Sequence, residues 1–222
     1  MASLPTGSRI AVAIALSTKK TISAISNAAE AVCTSAAHGL AVGEIVIVFS
    51  GWGRLNGRTY RVKAVPSPDS FTLEGRNANT SNTNLFSAGG GAGSFVKALN
   101  WVDVVQILTN NTSGGDAKKV TYRYLESENE QEINDGFSPV SRSLEIDADA
   151  IETPGYDALV ELSATGADTI QRITMKSGAV SYLACTVAFN EEVLMQDGQV
   201  NRCKADFSGK SKSTRYSTGG VI

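Results

Sequence analysis

The octapeptide RIAVAIAL, Arg9–Leu16, decides the fold class. Read with a two-residue period, it puts Ile10, Val12, Ile14 and Leu16 on one face and Ala11, Ala13 and Ala15 on the other. A helix competes, because alanine favours it. The alternation selects the strand, and the rest of the chain agrees with that choice. Twenty-one glycines and only 7% aromatic residues, in a chain of 222, suit many turns and short strands. A chain of this length buries roughly 70% of its unfolded surface, so it folds without staples.

Outward from that strand, residues 27–98 carry short β-rich pieces, AVCTS, EIVIVFS, RTYRVKAV and SFTLEG, separated by glycine, asparagine and proline turns. They read as a separate small module. Its expected core sets Ile45, Ile47 and Phe49 against Tyr60, Val62, Phe71 and Leu73, and its tail RNANTSNTNLFSAGGGAGS reads as a loop or flexible return linker. After Trp101, VDVVQILTN reads as one strand, KKVTYRYLESENEQEINDG as a long polar hairpin or projecting loop, and SRSLEIDA as another strand. A helix is then signalled by Thr153 as cap, Pro154 at the first helical position and Gly166 at the end, with Tyr156, Leu159 and Val160 on one face. A hairpin turning at Lys176, Ser177 and Gly178 follows, with Leu183, Cys185, Val187 and Phe189 alternating on one face, and the last strand lies near QVNRCKADF. The expected architecture is mainly β: a β-sandwich or barrel from residues 1–26 and 99–222 with one flanking α-helix, plus the inserted small β domain 27–98.

Several functions are disfavoured at this level. A net charge of −2 gives no electrostatic footprint for gripping DNA. Cys33, Cys185 and Cys203 have no metal-type spacing and read as reduced, buried thiols. The start MASLPTGSRIAVAIALSTKK lacks the basic-then-apolar order of an export signal, so synthesis in a host cytoplasm without membrane insertion is expected. His38, the single histidine, lies five residues from Cys33. A nucleophilic cysteine needs a base and a third group that orients it, whereas a turn at His38-Gly39-Leu40 and Gly43 launching the strand from Ile45 explains each residue. No catalytic residue, cofactor or metal site is expected. Gly89 to Gly93 lack the GK[ST] ending of a phosphate-binding loop. Trp52 and Trp101 read as core or junction residues, with an exposed aromatic platform as the other reading.

Two stretches resemble known families. TSAAHGLAVGEIVIVFSGWGRLNGRTYRVKAVPSPDSFTL resembles a small β module of bacteriophage structural proteins that is similar to a half-domain of ubiquitin-activating enzymes. That resemblance covers scaffold only and gives Cys33 no catalytic role. KTISAISN, with SLEIDADAIETPGYDALVELSATGADTIQRITMKSGAVSYLACTVAFN and the closing Thr214 and Tyr216, resembles the tail tube proteins of long-tailed bacteriophages. It implies a non-enzymatic virion subunit that self-assembles into rings, expected to be hexameric. The rings stack into a channel that DNA crosses without specific binding, with tape measure and tail-end proteins as further partners. It also implies a long loop reaching the neighbouring ring, here about residues 110–137, with Asn110, Asn111, Gly114, Gly115, Asp116, Lys118 and Lys119 as candidate contacts. A second class of function, an adhesin binding a cell-surface glycan, stays open.

Within that loop, YLESENEQEIND would line Glu126, Glu128, Glu130 and Glu132 along one side if extended. The readings are a solvated loop, an acidic surface facing a subunit's Lys118 and Lys119, or a carboxylate lining that keeps DNA from sticking in a channel.

Overall fold

The computed structural model describes residues 5–218. Its first half supplies β1 (Arg9–Leu16), β2 (Lys20–Ile22), β3 (Ala24–Ile25), β4 (Val32–Thr34), β5 (Ile45–Ser50), β6 (Arg58–Ser67), β7 (Ser70–Leu73) and β8 (Gly93–Val104). After them come β9 (Ile107–Ser113), β10 (Ala117–Tyr122), β11 (Gln131–Phe137), β12 (Ser141–Asp147), α1 (Pro154–Thr165), β13 (Asp168–Thr174), β14 (Val180–Leu194), β15 (Arg202–Gly209) and β16 (Thr214–Tyr216). Among the described residues, 14 of these strands form one sheet in the order β3-β4-β7-β6-β5-β8-β1-β13-β14-β15-β12-β9, with β16 beside β14 and β2 beside β8. The mainly β expectation with one flanking helix holds.

β1 is central in this sheet, paired antiparallel to β8 and to β13, and Ile10 to Ala13 are buried on both faces. One face carries Ile10 and Val12 into a core capped by α1, where Tyr156, Leu159 and Leu162 meet Leu183, Cys185, Val187 and Phe207. The helix starts as its residues dictate: the Thr153 hydroxyl accepts from the Tyr156 N–H, Pro154 opens the first turn, and Gly166 ends it at φ 60°. Gly155 is required for packing, because a Cβ there would stand 2.6 Å from the Asp103 carbonyl oxygen.

The other face is concave. There Ala13, Ile45, Ile47, Val96, Ile170, Val180, Tyr182, Ala184 and Tyr216 form one cluster, with Phe49 and Trp101 at its border. The sheet curls until β16 meets β6, and the seam is held by side chains. The Tyr216 hydroxyl accepts the Arg61 N–H at 2.8 Å, while the Arg61 guanidinium lies over the Tyr216 ring and holds the Thr218 carbonyl at 2.7 Å. Glu74 clamps the same guanidinium through both carboxylate oxygens, at 2.5 and 2.6 Å. This two-pronged pairing is the strong form of the Arg–carboxylate bond.

Four expectations are corrected. Ile45, Ile47 and Phe49 do not face Tyr60, Val62, Phe71 and Leu73. Those four pack with Val46, Val48, Trp52 and Phe95 on the opposite side of β5, which is buried on both faces. Removing residues 27–98 would therefore uncover Ile170, Tyr182 and Tyr216, and β8 runs across position 98 without a break. The glycine-rich tail is not a flexible linker: Phe86 is buried on Trp52, and a Cβ at Gly93 would lie 2.0 Å from the Phe49 carbonyl oxygen. VDVVQILTN is two strands rather than one, broken at Val105 and Gln106, where Gln106 takes φ 55°. The closing Thr214–Tyr216 is a separate short strand beyond the expected last one.

Because the Tyr216 hydroxyl is the acceptor of the Arg61 N–H across the seam, Tyr216→Phe keeps the ring packing but leaves that buried N–H without its acceptor. Stability should fall by about 1–3 kcal/mol, measured as a lower denaturant midpoint at constant slope; an unchanged midpoint would show that the seam does not depend on this bond.

Candidate functional site

Cys33 and His38 are both buried in the scaffold. His38 is 3% exposed, its Nδ1 accepts the Leu40 N–H at 2.9 Å, and its Nε2 lies 3.1 and 3.2 Å from the Ser67 and Ser70 carbonyls. That arrangement calls for the neutral tautomer with the proton on Nε2, donating to those carbonyls. The ring knits the 38–40 turn to the β6–β7 turn and packs on Phe71 at 5.2 Å. Burial pushes the Cys33 thiol up to about 12, and likewise Cys185, which removes the thiolate a nucleophile needs. Among the described residues no cluster of three or more metal-ligating side chains occurs and no helix is long and apolar enough to cross a membrane. Trp52 is buried, with its indole N–H on the Ser87 carbonyl, and Trp101 lies under the Arg172 guanidinium, so neither offers an open aromatic platform.

The segment 110–137 has a different character. Asn110 and Asn111 are not in a loop but in β9, paired with Leu144 and Ser143 of β12. Beyond Ser113 the same hairpin continues as a second ribbon, β10 with β11, which pair only with each other. The joint between the two ribbons is Gly114-Gly115 against Ser138-Pro139. Both glycines have positive φ, and a Cβ on Gly114 would fall 1.9 Å from the Pro139 carbonyl oxygen, so only glycine fits. Asp116 completes the joint: its N–H goes to the Ser138 hydroxyl and its carbonyl accepts the Ser138 N–H.

The ribbon has two faces. Val120 sits opposite Ile133 and Tyr122 opposite Gln131 on one, and Val120 and Ile133 are 52% and 57% exposed. The other face carries Lys118's neighbour Lys119, paired with Glu132 of its own chain at 2.5 Å, while Lys118 is exposed. Of the readings open for the carboxylates, the solvated loop fits Glu126, Glu128 and Glu130, which lie in the turn at the tip; only Glu132 is in a strand, so the segment is not extended and the one-sided row does not form. Beside them Leu125 is fully exposed. A second exposed apolar group, Val193, Leu194, Met195 and Val200, lies where β14 turns into β15. The sequence reading missed it; the apolar run VLM before Asp197-Gly198 is the signal that could have found it.

A two-stranded ribbon alone is marginal in water, and exposed apolar groups of this kind mark contact surfaces. Such surfaces suit association with another molecule. The comparisons give its class. The model of the family described as "Phage tail tube protein, TTP" matches residues 50–218, and the chain belongs to that family. It is a structural component of the phage tail. The match begins at Ser50, inside the region read as an insertion. No curated relative matches the chain. A solved structure, the cryo-EM structure of the anti-feeding prophage (AFP) baseplate, 6-fold symmetrised, is similar over 55% of this chain and 87% of that one, at 10% identity and TM-score 0.39.

Both buried residues should be dispensable for association. His38→Ala should lower subunit stability by about 1–3 kcal/mol, and Cys33→Ser by a comparable amount, while folded protein of either variant assembles as wild type does by sedimentation. Loss of assembly by a normally folded variant would assign the pair a role this geometry does not give it.

Proposed function

We propose that the chain is the repeating subunit of the tail tube, closing into rings, expected to be sixfold, that stack around a bore through which DNA passes. The observation that carries this reading is the β10–β11 ribbon, a paired element whose apolar face its own chain leaves uncovered, in a member of the tail tube family. The ribbon supplies the reach between copies expected of residues 110–137, with Gly114 and Gly115 as its hinge. The open edge of β9, at the end of the sheet, offers a row of unpaired backbone groups to the next subunit of a ring. A head-to-tail contact of this kind generates rings when it closes.

In this reading residues 27–98 lie toward the outside, since the bore must stay uniform. Glu126, Glu128 and Glu130 serve contact between copies rather than a lumen lining, because they cap the tip of a projecting ribbon. DNA crosses without specific binding, as the net charge of −2 supplies no grip. Tape measure and tail-end proteins are the further partners.

Purified protein concentrated in moderate salt should form rings or tubes of constant bore in negative-stain electron microscopy. A dispersed monomer at every concentration, with affinity on a glycan array, would replace this reading with the adhesin one.

A further inference from the structure

Where β9 leaves the main sheet, a cleft of about 880 Å³ opens between β9, β12, β13 and the turn before β1. Its apolar lining comes from Ile10, Ile107, Leu108, Ile173 and Met175, its neutral polar lining from residues such as Thr109, Asn110, Thr112 and Ser181, and its charge from Arg142 and Arg215. No Asp or Glu lines it among the described residues.

Arg142 is the unusual member. It is 5% exposed, with Nη1 on the Gln171 side-chain oxygen and Nη2 on the Ser181 hydroxyl, both at 2.9 Å, and its Nε–H finds no partner among the described residues. Burial disfavours its charged form, and Arg215 adds repulsion. A guanidinium taken from water without a carboxylate is costly. Among the described residues the other buried arginine, Arg61, has Glu74. An anionic group entering the cleft would meet Arg215, the charge of Arg142 just beneath the surface, and an apolar patch.

The ribbon tip has the complementary composition. Leu125 and Tyr124 are exposed beside Glu126, Glu128 and Glu130, none of which forms an ion pair among the described residues. A chain's own tip stands away from its own cleft. The cleft borders the base of the ribbon, and the six residues of β10 hold the tip about 20 Å farther out at about 3.4 Å per residue. We infer that the cleft receives the ribbon tip, residues 124–130, of a second copy of the chain, with Leu125 on the apolar wall and a tip carboxylate on Arg142 and Arg215. Each copy then gives a tip and receives one, a heterologous contact that repeats along an assembly. This rests on the tail tube reading and names the surface through which the ribbon acts.

The test uses Leu125→Cys and Leu108→Cys, made in separate full-length chains and mixed before assembly. Both positions are exposed, and the three native cysteines are buried, so background cross-linking is low. Oxidation of the assembled material should give a 125–108 disulfide between copies, identified by mass spectrometry. Tubes that form normally without that disulfide would overturn the cleft assignment and leave the tail tube reading standing. Wild-type protein that never assembles would overturn both. Should either cysteine variant fail to fold, the exposed triple Glu126→Gln, Glu128→Gln, Glu130→Gln decides: a critical concentration raised about tenfold supports the contact, and one within twofold of wild type overturns it.

Discussion

The concave core is the constraint on which the rest of the subunit depends. Ile45, Ile47 and Val96 come from one part of the sheet, and Ile170, Val180, Tyr182 and Ala184 from another, so they can be buried together only if the sheet curls. Burying a large apolar side chain contributes about 1.5–3 kcal/mol, and a cluster of this size sets the curvature. Curling brings β16 to β6, where no backbone ladder forms. Arg61, Glu74 and Tyr216 close the gap with charge-assisted bonds and a ring face instead. With that seam shut, the outer face of β1 and β14 is free to take α1, and the far strands β15, β12 and β9 extend as a wing.

That wing carries the features the core does not use. β12 and β9 continue through a glycine joint into a ribbon that buries nothing of its own, so its order depends on what it meets. The same wing places Arg142 under the sheet, bonded to neutral partners but without a carboxylate. A free ribbon and an unneutralised guanidinium are both unfavourable in an isolated subunit. Both make sense in a protein whose working state is an assembly.

Much of the scaffold was legible because it follows local rules. The alternation in RIAVAIAL, the Thr153-Pro154 start of the helix and the Met175–Ala179 turn are each written in a few neighbouring residues. What failed depended on partners distant in sequence. EIVIVFS is apolar throughout, so both faces are buried, and no periodicity could tell which of Ile45 or Val46 faces which core. Gly89 to Gly93 read as a linker because their reason, close approach to Trp52 and Phe49, lies about forty residues away. Arg142 gave no signal, since an arginine in a strand shows its missing partner only once its neighbours are in place.

The account stands on the ribbon being completed by another copy, and amide hydrogen exchange tests that most directly. In the free subunit, amides of Val120 to Tyr122 and Gln131 to Ile133 should exchange within seconds, while those of β1 and β14 stay protected. In assembled tubes the ribbon amides should slow by about a hundredfold or more. Equal exchange of the ribbon in both states, fast or slow, would contradict the account.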